Sequence, residues 1–419
     1  MLGGSGNQQT PWIRSLEATR SSADVSGEVF DGRSLKVSRL ECVAGASLWA
    51  GLQPDILGVV LRLLPCLADR ASVWSVCHNW RAGSRNHILP QPLPLLLLPE
   101  FRFSCLSVKE ELTPVRHVPV PKEVEADDIR CMGSFGEWIV GVAPSKKRSE
   151  AYYRDSDGDC FLTLRVVNGL SEVHFSANDL YTMSFYGAVL SASPDLGSKY
   201  IVAASSNHKE HETLALWQPG MMSWHVCSGV DIDGPKDLTF FQGKLYVLMR
   251  YRPHLFAFEL EEDDHGFVVS RVQCCLTELL HEHSFQAGGA LNMVVWRGEL
   301  LLIVRHYDDN YRHEHNVLKV EVFALDMSTN PYGLTEIHSL NGNCVFVCTG
   351  GCKSFPASTH EGVESDLIYF VPDVWKPYDT FVYSMRDGRV RPFAANLLPC
   401  HFDVPEENLD FPVWLFPSE

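Results

Sequence analysis

Apolar positions in this 419-residue chain follow a helical period near the start and a strand period from about residue 101 onward. The first regime runs from Trp49 to Arg81. Pro54 presets φ for a first helical turn, and Asp55 suits the positive end of a helix dipole. Ile56, Leu57, Val60, Leu61 and Leu64 then fall on one helix face, while Val59 and Leu63 point the other way. A helix apolar nearly all round has to be covered on more than one side. Pro65 ends it. A second helix is expected from Ala68 to about Val76, and a third from Asn79 past Trp80. Three helices of about forty residues in all cannot enclose so much apolar surface, so the piece needs a partner.

The second regime is short strands and turns. Phe241-Gln242-Gly243-Lys244 precedes the apolar run Leu245 to Leu248, and Trp296-Arg297-Gly298-Glu299 precedes Leu300 to Ile303. In each the glycine supplies the positive φ of a tight hairpin turn, and the run after it is a buried strand. Phe135-Gly136-Glu137-Trp138 is a looser copy, and Asp387-Gly388 is a further hairpin signal. Other strands are expected at 200–204, 214–217, 255–260, 317–325, 344–347 and 367–371. The interval from Gly243 to Gly298 is close to the roughly 50-residue period of kelch-type blades. About 320 residues of this texture suit a mainly antiparallel propeller of about six blades, with seven as the alternative. Between the two regimes, residues 89–99 alternate proline with leucine, which forces an extended path. They read as a stiff connector pressed against the next domain, or equally as its first strand.

The order L-Q-P-D-I-L (52–57), V-L-R-L-L-P (60–65) and S-V-C-H-N-W-R (75–81) resembles the F-box, the helical module that docks onto the Skp-type adaptor of cullin ubiquitin ligases. Gln53 stands where members usually carry a proline, and Trp74 is bulkier than the usual occupant of its position. Further on, A-L-W-Q-P-G-M-M-S-W (215–224), D-L-T-F-F-Q-G-K-L-Y-V-L (237–248), L-I-Y-F-V (367–371) and W-L-F-P (414–417) resemble plant F-box proteins. In these the C-terminal part is a KIB-type, kelch-like propeller of a domain-of-unknown-function family. The resemblance implies an α+β multidomain chain: a leader (1–45), an F-box module (46–88), the connector (89–100) and a propeller (101–419). It also implies adaptor contacts through Leu52, Pro54, Ile56, Leu57, Val60, Leu61, Leu64, Pro65, Val76, Cys77 and Trp80. The expected role is the substrate receptor of a ubiquitin ligase, with a target protein held by the propeller and catalysis left to other subunits.

Composition narrows the rest. A formal charge of −17 argues against nucleic acid or an anionic membrane as a general partner. The 13 cysteines have no regular spacing, nothing resembles a signal peptide, and no Asn stands in an N-x-Ser/Thr context. A reducing compartment, cytoplasmic or nuclear, is expected, with the thiols mostly buried as small apolar groups. The longest apolar run, Ile88 to Pro99, is broken by prolines, so no membrane span is expected.

Few side chains suggest chemistry of their own. Asp155 to Asp159 look superficially like a calcium loop, but Cys160 and Val166 occupy places that need Gly and an acid. Cys344, Cys348 and Cys352 lack the second cysteine pair of a zinc site and fit a core pattern. His208 and His211, His281 and His283, and His306, His313 and His315 lie among charges in expected loops. The loop holding Arg305, Tyr307, Tyr311 and Arg312 suits either a protein-recognition surface or a long polar hairpin. No catalytic residue, metal or cofactor is expected. The alternative from another class is a propeller enzyme or metal-dependent binder that uses the histidine loops.

Overall fold

A computed structural model describes Trp49 and residues 51–99, 102–107, 112–117, 130–143, 160–165, 172–175, 183–227, 234–276, 290–307, 317–373, 379–393 and 411–416, with short gaps inside some of these spans. The expected leader, Asp155 to Asp159, Tyr311, Arg312, His281, His283, His313 and His315 lie outside the described residues.

Among the described residues three helices come first: α1 (Pro54–Arg62), α2 (Leu67–Ser75) and α3 (His78–Ser84). Pro54 occupies the first turn of α1 with Asp55 beside it, and Pro65 follows the end, as the sequence dictates. Close approach of α1 to its neighbours depends on small residues. A Cβ on Gly58 would lie 2.5 Å from the His87 ring, and His87 Nε2 bonds the Pro54 carbonyl at 2.8 Å. Trp80 Nε1 donates to the Trp49 carbonyl at 2.8 Å, tying α3 back to the start of the module.

The described strands form five sheets. The first joins β1 (Leu95–Leu98), β2 (Arg102–Cys105) and β3 (Arg116–His117) to the last described strand, β25 (Val413–Leu415), in the order β25-β1-β2-β3. The second holds β4 (Arg130–Phe135), β5 (Trp138–Ala143), β6 (Cys160–Arg165) and β7 (Glu172–Phe175), and the third β8 (Met183–Leu190), β9 (Val202–His208), β10 (His211–Trp217) and β11 (His225–Val226). The fourth holds β12 (Pro235–Phe241), β13 (Lys244–Met249), β14 (Leu255–Asp263) and β15 (Gly266–Leu276). These four are simple antiparallel meanders apart from the late strand β25.

The fifth sheet has nine strands. It contains β16 (Ala290–Trp296), β17 (Glu299–Tyr307), β18 (Val317–Asp326), β19 (Gly333–Glu336), β20 (Asn343–Val347), β21 (Cys352–Pro356), β22 (Leu367–Phe370), β23 (Phe381–Ser384) and β24 (Val390–Pro392). A parallel pairing of only two residues, Val294 and Val295 with Cys352 and Lys353, joins β16 to β21. Neighbouring units meet through strands β25, β4, β8, β12, β16 and β21, so the architecture is propeller-like, with those strands innermost.

The repeated hairpin motif forms as expected. Gln242-Gly243 and Arg297-Gly298 take φ of 48° and 76°, and 51° and 82°. Two successive left-handed residues make the turn whose twist matches the flanking strands. The connector resolves into both of its readings: Leu93 to Leu98 are buried, and Leu95–Leu98 form β1. Trp414 of β25 is fully buried, 4.8 Å edge-on from Phe346, which in turn stacks on Tyr369 at 4.6 Å. Cys344 and Cys348 lie in the same cluster, in agreement with core patterning.

The helices are held to the first sheet at several points. Leu93 N–H donates to the Pro65 carbonyl at 2.8 Å. The buried Arg70 donates from Nε to Leu64 O at 2.8 Å and from Nη1 to Pro90 O at 2.7 Å. Arg116 pairs with Asp69 at 2.6 Å. Cys66 and Cys105 are joined by a disulfide with their Cα atoms 5.9 Å apart, so two of the cysteines expected as thiols are instead paired. Their spacing in sequence encodes nothing. The start of α2 and the end of β2 bring them within bridging distance only in the folded chain. No helix among the described residues is long and apolar enough to cross a membrane.

Candidate docking face and axial polar cluster

The apolar belt of α1 is divided between two duties. Leu57 and Leu61, at i and i+4, are 1% and 0% exposed and pack inside the chain's own fold. Ile56, Val59, Val60 and Leu63, at i, i+3, i+4 and i+7, form the opposite stripe and are 48%, 50%, 36% and 74% exposed. Trp49 and Val76 add exposed apolar surface from the neighbouring turns of the module. Leu52, Leu64, Pro65, Cys77 and Trp80 are half-buried, and Pro54 is exposed.

This corrects the expected contact set in two places. Leu57 and Leu61 face inward and are buried, with Leu57 lying against Gly83 of α3. Val59 and Leu63, read from the sequence as the opposite side, belong to the open stripe. Periodicity grouped Ile56 and Val60 with Leu57 and Leu61, and the fold divides that group between the two sides of the helix.

The Arg305 expectation is also corrected. Arg305 is not on a recognition surface: it is fully buried near the end of β17. Its guanidinium pairs with Asp379 and with Asp373 at 3.3 Å, donates to Asn292 Oδ1 at 2.9 Å, and lies 4.8 Å over the Phe370 ring. Burial disfavours its charge, but Tyr307, Asp379 and Asp373 outweigh this and hold its pKa above the usual arginine value. Tyr307 is half-buried and donates to Asp379, and burial pushes its phenol well above the ordinary range.

The cluster continues toward the fourth sheet. Asn292 Nδ2 reaches Asp237 Oδ2 at 3.5 Å, and that oxygen also accepts the Met293 N–H at 2.7 Å. Asp237 therefore stitches β12 to β16, and Arg305 stitches β16 to the segments after β22. Burial raises Asp237 to about 7, against the opposing pull of Met293 N–H, Leu238 N–H, Lys236 and Asn292. A cavity of about 20 Å³ opens beside it, bordered by Tyr186, Ser205, Lys236, Asn292 and Asp373, with room for one water-sized group. The nearby Cys348 thiol is pushed up to about 12 by burial, so it is held neutral and weakly nucleophilic.

Sequence reasoning missed this cluster because its members come from four separate stretches. The available signal was polar residues at inward strand positions: Asp237 before Leu238, and Asn292 between Leu291 and Met293. Of the expected histidine chemistry, His306 Nε2 bonds Glu321 at 2.7 Å and His211 is exposed. Among the described residues, no three His, Cys, Asp or Glu side chains converge as a metal site requires.

No curated protein matches the chain. Among solved structures, the nidogen/laminin complex matches at 10% identity and a TM-score of 0.38, covering 77% of this chain and 97% of that one. A Bombyx mori GH32 β-fructofuranosidase matches at 13% identity and a TM-score of 0.32, covering 56% of each chain. A bifunctional GH43-CE protein of Bacteroides eggerthii matches at 12% identity and 0.30, covering 50% of this chain and 27% of that one. All three are distant. The family model of the KIB1-4 beta-propeller, by contrast, matches residues 104–384, from β2 to β23. With that match over two-thirds of its length, the chain belongs to the KIB1-4 β-propeller family.

Proposed function

We propose that this chain is the substrate-recognition subunit of a Skp-cullin-F-box ubiquitin ligase. The observation that carries the reading is the open stripe of Ile56, Val59, Val60 and Leu63 on a helix whose other face is packed inside the chain. Four large apolar side chains in one row on a small module are what a second polypeptide would cover. The F-box-like order of residues supports reading that polypeptide as the Skp-type adaptor. The propeller then supplies a rigid body for a target protein. We read the four four-stranded sheets, together with the nine-stranded sheet divided at β16 and β21, as six blades. The chain works by raising the local concentration of target near the ubiquitin-loaded enzyme, with the chemistry carried by other subunits.

The test is adaptor capture. Ile56→Asp combined with Leu63→Asp places two charges on the open stripe and leaves Leu57 and Leu61 in place. The variant is expected to keep the wild-type melting temperature and to lose adaptor affinity by at least about a hundredfold. Undiminished capture of the adaptor by a folded variant would refute the assignment.

A further inference from the structure

We propose that the Cys66–Cys105 bond is a redox latch between the helical module and the first sheet of the propeller. Cys66 immediately precedes α2, and Cys105 is the last residue of β2. The bond therefore joins the helical module to the first sheet. Both residues are fully covered, at 1% and 0% exposure. Around them the boundary also carries polar contacts, Leu93 to Pro65, Arg70 to Leu64 and Pro90, and Arg116 to Asp69, beside the buried side chains of Leu61, Leu67, Ala68 and Leu93. The Arg116–Asp69 pair is more than a third exposed on each side and contributes little. The disulfide is the covalent link across this boundary among the described residues, and a change of salt leaves it untouched. The remaining described cysteines are thiols, so redox sensitivity at this boundary belongs to a single pair.

The chemistry balances with a small disulfide such as oxidised glutathione. One cysteine thiolate attacks a glutathione sulfur, forming a mixed disulfide and releasing one glutathione. The second thiolate then attacks the protein-side sulfur of the mixed disulfide and releases the other. Two cysteine sulfurs are oxidised, one glutathione disulfide is reduced, and the two thiol protons end on the two glutathiones. Because both sulfurs are shielded, either direction of exchange requires the boundary to part first. The latch therefore locks a docked module and reports on its opening. In the oxidised form the open stripe of α1 points in a fixed direction relative to the propeller. In the reduced form the module is held by non-covalent contacts alone and opens more often. This holds whether or not the stripe binds a ligase adaptor.

The experiment uses the full chain equilibrated in buffers of graded glutathione to glutathione disulfide ratio. N-ethylmaleimide traps free thiols, and the peptides containing Cys66 and Cys105 are assayed by mass spectrometry. Hydrogen exchange is read at Asp69, Arg70 and Leu93 in the same samples. Linked peptides are expected at oxidising ratios and trapped thiols at reducing ones. Boundary amides are expected to exchange at least about tenfold more slowly in the linked form. Cys66→Ser and Cys105→Ser should each show the reduced-form exchange at every ratio. Thiols that remain trapped at every ratio, or boundary exchange identical in linked and unlinked wild-type protein, would overturn the latch. The wild-type comparison decides even if a serine variant folds poorly.

Discussion

Arg305 shows how far a single residue's neighbours in sequence can mislead. It sits beside His306, Tyr307 and two aspartates, a composition that reads as an exposed recognition loop. In the fold β17 runs on to Tyr307, and this places Arg305 against Asp373 and Asp379, about seventy residues further along the chain. Those carboxylates could not be paired with it from sequence, because nothing in their spacing marks them. Asp237 is the more testable member of the cluster. Its folded pKa of about 7 lies above its ordinary 3.8, so between those values the folded state holds a proton that the unfolded state has released. The stability contributed by this group is therefore complete at low pH, is lost as pH rises toward 7, and is flat above that. Asp237→Asn removes the titration and keeps an oxygen to accept the Met293 N–H. Wild type is expected to lose up to about 4 kcal/mol relative to that variant between the two pKa values, measured by urea unfolding at several pH values. Parallel stability curves would show that Asp237 is ionised throughout.

At the level of elements, much of the fold was legible. The helices of the N-terminal module fall within a residue or so of where proline and the apolar period placed them. Each of the six other strands expected from apolar runs overlaps an observed one, as β9, β10, β14, β18, β20 and β22. The reason is local: a type I′ turn and a proline-opened helix are decided by neighbouring residues. What periodicity could not supply was the partner of each face, since Leu57 and Val60 are equivalent in apolar character and differ only in what the tertiary fold lays against them. Glycines separate the local from the tertiary contribution. A Cβ on Gly243 meets nothing within 4 Å, whereas one on Gly350 would lie 1.8 Å from the Met132 carbonyl. Gly243→Ala is expected to cost only the left-handed backbone preference, about 1 kcal/mol. Gly350→Ala must also push β4 away, and should cost several-fold more in chemical denaturation. Equal losses would mean that the inner strands do not meet as closely as described.

The first sheet is completed by the last described strand. β1 finds its innermost neighbour in β25, with Leu96 opposite Trp414, and Ser134 Oγ donates to the Trp414 carbonyl at 2.5 Å. Deleting residues 411–419 would uncover one edge of β1 and empty the space that Trp414 fills. Loss of a buried tryptophan alone removes about 3–5 kcal/mol, and an open edge of four leucines invites pairing with another copy. The shortened chain is expected to elute as oligomers in size-exclusion chromatography. A monomer with an unchanged melting temperature would show that β25 is dispensable.

The same strand pairing sets a timetable for birth of the protein. The four leucines of β1 leave the ribosome early, yet the strand that shields their inner edge is made last of all those described. Until residues around 413 emerge, the ring cannot shut, while the helices just ahead of β1 can already have folded. Throughout synthesis the nascent chain thus carries a finished N-terminal module attached to an incomplete barrel of blades, and that interval is when a chaperone would be needed most.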